Sequence, residues 1–366
     1  LSDYWLGRHP AEGLEWLGRL IEAAAPGPAL RAEAQLRRGH LAYWLTQFEQ
    51  GTSILNEARA LFAQVGDPLG QGRALRRLGA IAAATDDLTA ARGFLEASLA
   101  RLDEAGIEAE TGTSLVHLGS LLADMGAVDT ARTALERALD ISSTGGDPLA
   151  RAHALAAMTL AHWKAGDLVA ALGTGSEALN LFRDLGHRPT EGTVAYRLAA
   201  IARGLGRVRA ARRYALMAID AGEQSSTRTT IALAHVNLAR LDVDAGSWSA
   251  AADHLSRSLE LIDPDADRWV LVEALEALAR LLVAAGRPGV AALLDFSSAV
   301  RTAIHQPPAP TEQGDLDATR ARSITEPHDP AAPILSPAAA REHALALARE
   351  IADQPLPPSE RRLTGE

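Results

Sequence analysis

The chain has 366 residues, 47% of them hydrophobic, and a formal charge of −10. An acidic surplus opposes wrapping around nucleic acid, where affinity rests on neutralising phosphates with Lys and Arg, so no direct nucleic-acid contact is expected of this chain. The lack of cysteine excludes disulfide frameworks, thiolate catalysis and Cys-ligated zinc. No run of ~18 apolar residues is present to span a bilayer, and nothing at the start resembles a signal peptide, so a soluble cytoplasmic protein without membrane contact is expected.

Taken in order, residues 1–28 read as a partial repeat: Pro10-Ala11-Glu12-Gly13-Leu14-Glu15-Trp16-Leu17 looks like the second helix of a unit whose first helix is mostly missing, as in a fragment of a longer protein. Residues 29–305 then hold seven complete units. A turn glycine recurs at Gly126, Gly166, Gly206, Gly246 and Gly286, and a small residue at Gly51, Ala91, Ala131, Ala171, Ala211, Ala251 and Ala291, each at a spacing of 40. Self-similarity at such a period marks a stacked solenoid, in which no unit buries its apolar face alone. Each unit reads as two amphipathic helices: Leu75, Leu78, Ile81 and Ala82 recur at helical spacing before one turn, and Leu88, Ala91, Leu95, Ser98 and Leu99 after it. Period-two strand patterns are absent, which predicts an all-α fold.

A second set of glycines, Gly66, Gly106, Gly146 and Gly186, stands between units as helix stops, and Asp67-Pro68 and Asp147-Pro148 follow two of them as helix starts. Ser226 and Ala266 replace the glycine later, with Asp267 still offering a cap. Beyond Thr302 the beat is lost. Residues 306–336 form a Pro-rich connection with one short helix expected around Asp315 to Ile324, residues 337–354 a C-terminal helix opened by Ser336-Pro337, and residues 355–366 a linker or disordered tail.

The unit resembles a tetratricopeptide repeat. Leu78-Gly79 and Leu118-Gly119 stand in that family's Leu-Gly slot, 12 residues before the small residues Ala91 and Ala131, and Leu198-Ala199, Leu238-Ala239 and Leu278-Ala279 keep the slot small. The family unit is ~34 residues, shorter than this one; HEAT or armadillo arrays, with periods of ~40 to 47, are the alternative. The resemblance implies a right-handed superhelix of helix-turn-helix units closed by a C-terminal helical cap.

The alanine- and arginine-rich repeats, with Ala285-Gly286-Arg287-Pro288-Gly289-Val290 in the last unit and Leu335-Ser336-Pro337-Ala338 in the final helix, also resemble the tetratricopeptide region of actinobacterial LuxR/AfsR-type regulators that carry a signal-transduction ATPase upstream. The terminal Arg362-Leu363-Thr364-Gly365-Glu366 resembles the entry to a LuxR-type helix-turn-helix. That relationship implies a non-catalytic sensor and protein-interaction arm of a multidomain transcriptional regulator. Its partner is a protein, a peptide, a small effector or the attached domains of the same chain. A free-standing tetratricopeptide adaptor or peptide-pheromone receptor is the alternative, and an enzyme built on the array a third.

In the resembled family the first helix of each unit lines the concave face, and the 40-residue beat maps its exposed positions here. They are Tyr43 and Trp44, with His40 and Arg73 beside them, then Asp124, Trp163, Lys164 and Tyr196, and finally Arg203, Arg240, Asp244 and Arg280. Aromatic anchors with charged neighbours suit a peptide or protein partner. Neither a cofactor nor a metal is expected. The phosphate-loop motif is missing, Gly173-Thr174-Gly175-Ser176 falls inside a helix where the missing side chain could leave a dent beside Trp163, and Asp263-Pro264-Asp265-Ala266-Asp267 lacks the glycine and glutamate of a calcium loop. His162 takes a slot held by Leu122 and Leu282, so it reads as a core histidine.

Overall fold

The computed structural model describes residues 9–24, 27–323 and 336–353. The start of the partial repeat, much of the Pro-rich connection and the 355–366 tail, with its helix-turn-helix-like ending, lie outside the described residues. Every regular element among the described residues is a helix. After α1 (Pro10–Ala24) come seven antiparallel pairs: α2 (Pro28–Trp44) and α3 (Phe48–Gln64), α4 (Pro68–Ala84) and α5 (Leu88–Ala105), α6 (Glu108–Asp124) and α7 (Val128–Gly145), α8 (Pro148–Lys164) and α9 (Leu168–Asp184), α10 (Arg188–Gly204) and α11 (Val208–Ser225), α12 (Arg228–Asp244) and α13 (Trp248–Leu261), and α14 (Arg268–Ala284) and α15 (Val290–Ala303). Two single helices follow, α16 (Pro310–Arg322) and α17 (Pro337–Asp353). No described helix is long and apolar enough to cross a membrane.

The turn at position 166 explains the beat. Gly166 has φ of +80°, its N–H donates to Trp163 O at 2.9 Å, and the next N–H, of Asp167, donates to His162 O at 2.9 Å. The Asp167 carboxylate then accepts from Ala170 N at 3.0 Å and starts the following helix. Gly126, Gly206, Gly246 and Gly286 share this left-handed conformation. Thr46 and Asp86 adopt it in the first two units with φ of 56° and 61°, so the joint is made seven times although the glycine is present five times. The surrounding helix pair holds a non-glycine residue there at a cost a lone peptide would avoid. Ser226, at φ 56°, likewise extends the second set of turns, which Ala266 does not continue.

Side-chain caps form at a minority of the described helix starts. Asp67 accepts from Gly70 N at 2.9 Å, Asp147 from Leu149 N and Ala150 N at 2.9 and 3.0 Å, and Ser336 from Ala339 N at 3.2 Å. Asp267 departs from its expected role: its carboxylate accepts from Asp263 N at 3.1 Å and caps no N–H of α14. The irregular 263–267 segment takes the acceptor instead.

The chain divides into two compact units, 1–158 and 159–366. In the first, Ala32, Leu36, Leu55, Ala58, Phe62, Ala74, Leu78 and Ile81 form a continuous cluster across two neighbouring helix pairs. First helices of successive pairs pack on one another, α2 on α4 and α4 on α6. Small residues let first and second helices approach closely: a Cβ at Gly119 of α6 would lie 2.5 Å from Leu135 of α7, and one at Gly70 of α4 2.2 Å from the Phe62 ring of α3. In the second unit α10 packs on α12 and α12 on α14, and α17 lies across α13 and α14. That last helix is held by burial of Ala340, Ala344, Leu345, Ala348 and Ile351 and by Arg341, which donates to Leu259 O at 2.8 Å. The expected dent at Gly175 is absent, because Leu198 and Thr159 fill it: a Cβ there would lie 2.7 and 2.9 Å from them.

Candidate functional site

The short helix of the connection starts earlier than expected, at Pro310, because proline at the first position suits a helix start and the Glu312 carboxylate turns back to accept from Ala309 N at 2.9 Å. This helix, α16, packs on α14 and α15 and is tied by ion pairs to α10, α12 and α14. Arg203 of α10 donates to Asp315 at 2.5 Å and to Asp244 at 3.4 Å. Arg280 of α14 pairs with Asp244 and reaches Asp315 at 3.6 Å. Arg240 of α12 donates to Glu273 at 2.6 Å and lies 3.7 Å from Glu312. Ahead of the helix, Lys164 Nζ donates to Pro307 O at 2.7 Å, and Arg301 to Gln306 O at 3.3 Å.

Beneath this contact is a buried charge cluster. Arg301, reaching across from α15, donates to Glu273 at 2.7 Å and to both oxygens of Glu276 at 2.7 and 2.8 Å. Burial would raise Glu273, but Arg240 and Arg301 together hold it far down, at about 2. Glu276 goes the other way: burial, with Glu273 alongside, pushes it up to about 7 despite Arg301. Glu312 is raised by burial and by Glu273, while Asp315, despite burial, is lowered by Arg203 and Arg280. A cavity of about 10 Å³ remains between α16 and the floor, bordered by Arg240, Glu276, Arg280, Glu312 and Asp315, and a larger recess of about 400 Å³ opens beside Asp244, Arg280, Ala318 and Arg322.

The predicted groove residues therefore divide. Lys164, Arg203, Arg240, Asp244 and Arg280 converge on one segment in the second unit. Arg240 is buried, contrary to the expectation of an exposed position, because Glu273 and Glu312 enclose it. Trp163 and Tyr196 are buried as well; Tyr196 packs 6.5 Å from the Trp269 ring, and its carbonyl accepts from Asn237 Nδ2 at 3.1 Å. In the first unit Trp44 is 58% exposed, and its indole N–H donates to His40 Nε2 at 2.9 Å. Tyr43 lies against Trp44 and Phe48, Asp124 is half-buried, and Arg73 joins Arg76 in gripping Glu110 at 2.6 and 2.8 Å. His162 is half-buried.

Glu273, Glu276, Arg301, Glu312 and Asp315 escaped the sequence reading. A signal was present for two: Glu273 and Glu276 stand where the preceding unit has Leu233 and Val236, so each puts a charge at an apolar position.

The histidines make the first unit sensitive to acid. Burial, reinforced by Arg76 and Arg77, pushes His40 and His117 down to about 3. Because these folded values lie below the ordinary ~6.5, their contribution to stability is present above that pH and lost as pH falls toward 3. At pH 5.5 the loss is expected to be about 1 kcal/mol per histidine, after allowance for partial exposure. In the second unit His235, lowered to about 4 by burial and by His254, acts in the same direction, while raised Glu276 opposes it, its contribution being lost as pH rises from about 4.5 to 7. Thermal melts at pH 7 and 5.5 should show the drop, and His40→Gln with His117→Gln should flatten it. An equal drop in that double variant would assign the acid sensitivity elsewhere.

Against this geometry the similarities take on meaning. Residues 110–184 match the tetratricopeptide repeat family. Proteins of Mycobacterium tuberculosis (strain H37Rv) and Mycobacterium bovis that carry the provisional name HTH-type transcriptional regulator are each 31% identical over 197 residues, 50% of this chain and 21% of theirs. The chain spans about a fifth of the length of these curated relatives. Among solved structures, a Rap protein complexed with competence and sporulation factor superposes with a TM-score of 0.64 at 15% identity, covering 94% of this chain and 99% of that one. A signal transduction ATPase with numerous domains and a tetratricopeptide repeat sensor, from Pyrococcus horikoshii, gives 0.51 at 14% identity, covering 94% and 53%. At such identities these likenesses establish the fold: an all-α, tetratricopeptide-like solenoid.

Proposed function

We propose that this chain is the non-catalytic sensing and protein-interaction arm of a multidomain transcriptional regulator. A peptide or protein segment bound on the inner face of the first helices favours one arrangement of the repeats, and the attached ATPase and DNA-binding parts respond to that shift. The observation that carries the reading is the row of first-helix arginines in the second unit, where Arg203, Arg240 and Arg280 already pair with a helical segment. The length and provisional name of the mycobacterial relatives agree with a larger regulator around it. Exposed Trp44, with Tyr43 behind it, offers the first unit an aromatic anchor of the type that dominates binding energy.

The test is transcription controlled by the parent protein. Trp44→Ala and Arg280→Glu, introduced separately, are expected to change output at the regulated promoters by more than fivefold while the helical circular dichroism of the purified chain is retained. Unchanged output from both would refute the reading. A free-standing peptide receptor is the second reading, drawn from the match to nearly the whole length of the Rap fold. A phosphate-binding loop encoded upstream of this segment would eliminate it.

A further inference from the structure

The character of α16 differs from that of every other docked helix. Only Glu312 and Thr319 of its residues are buried, whereas α17 buries five apolar or small residues against its neighbours. Polar contacts therefore hold α16 in place, with little apolar burial behind them. They balance charge: Lys164, Arg203, Arg240, Arg280 and Arg301 stand against the repeats' own Asp244, Glu273 and Glu276, and Glu312 and Asp315 of α16 make up the difference. The fit is also incomplete. Arg280 Nη1 and Glu312 Oε1 make no hydrogen bond, their ionic partners standing at 3.6 and 3.7 Å, and Arg203 Nε is likewise unsatisfied.

We infer that the basic inner face of the second unit is a recognition site for an acidic helical segment with carboxylates three residues apart, and that α16 is its resident occupant, displaced when a partner's segment of that chemistry binds. The inference rests on the proposed interaction role and names the partner's chemistry. A segment whose carboxylates meet Arg240 and Arg280 at hydrogen-bonding distance gains charge-assisted bonds that α16 leaves unmade. An occupant held by ion pairs is released at a salt-dependent cost, whereas one held by an apolar seam is not.

The probe is a fluorescent synthetic peptide of residues 306–323, titrated by anisotropy into the full chain. It is expected to bind Glu312→Arg/Asp315→Arg chain, whose own helix is repelled from the arginines, at least tenfold more tightly than wild type. A peptide with Gln and Asn at the two carboxylate positions is expected to bind at least tenfold more weakly. Absence of binding to the variant, or equal binding of both peptides, would overturn the inference. Should the variant fail to fold, hydrogen exchange of the wild-type chain decides: amides of 310–322 should exchange faster than those of 337–353 and accelerate further in 0.5 M salt. Equal, salt-independent protection of the two helices would make α16 a permanent plug and refute displacement. Either failure leaves the promoter test standing, since that test asks only whether groove residues matter to output.

Discussion

Arg301→Met is expected to destabilise the second unit by about 3–5 kcal/mol, the cost of leaving buried carboxylates without their cation. The side chain fills the gap between α14 and α15, and the guanidinium makes all of Glu276's hydrogen bonds described above as well as one of Glu273's. Methionine of similar volume preserves packing and removes the charge, so the loss reports electrostatics. The effect should depend on pH in a stated direction. Glu276 already sits near 7, and protonation at lower pH neutralises the orphaned charge, so the penalty is expected to be smaller at pH 5 than at pH 8. Urea melts at the two pH values measure it, and Glu273→Gln/Glu276→Gln in the Arg301→Met background should restore most of the stability. A loss below about 1 kcal/mol at pH 8 would mean that the carboxylates reach water and that the cluster is not the buried device described. Because Arg301 also holds Gln306 O, the same variant should loosen the entry to α16.

Phe182→Ala is expected to cost about 3–5 kcal/mol through the cavity it leaves. Its ring is 0% exposed, near the end of α9, with the His187 ring 5.7 Å away. Its 40-residue counterparts Phe62, Leu102 and Ile262 are also buried, so in these units the position is a large-residue pillar, with Ser142, Gly222 and the exposed Thr302 as exceptions. A ring removed from a stack of rigid helices is poorly replaced by relaxation, which places the cost toward the upper end of the range. Thermal or urea unfolding is the measurement, and a change under about 1.5 kcal/mol would show that neighbouring helices collapse into the space.

The fold was legible because each unit repeats its own instructions. Apolar positions at helical spacing, a small residue at Ala171 and its counterparts, and the glycine turns all return on one beat. Local chemistry also sufficed for the caps at Asp67, Asp147 and Ser336. It failed at Thr46 and Ser226, where the left-handed turn is imposed by the flanking helices on residues that do not themselves favour it, whereas Asp86 is of a type that tolerates it. It failed also at Asp267, whose carboxylate had two backbone partners in competition.

The candidate site was legible only on one side. The family resemblance named the first helices as the binding face, and repeat register then mapped that face onto Lys164, Arg203, Arg240, Asp244 and Arg280. It also placed Trp163 and Tyr196 on that face, and packing buried both. What the sequence by itself determined is the all-helical repeat and the register that places these arginines on successive first helices, because these depend on interactions within a unit and between neighbours. Only the tertiary structure decided what that face holds. Asp315 meets Arg203 across 112 residues of chain, and Glu312 meets Arg240 across 72; such pairings depend on where the connection returns in space, and no periodicity carries that information.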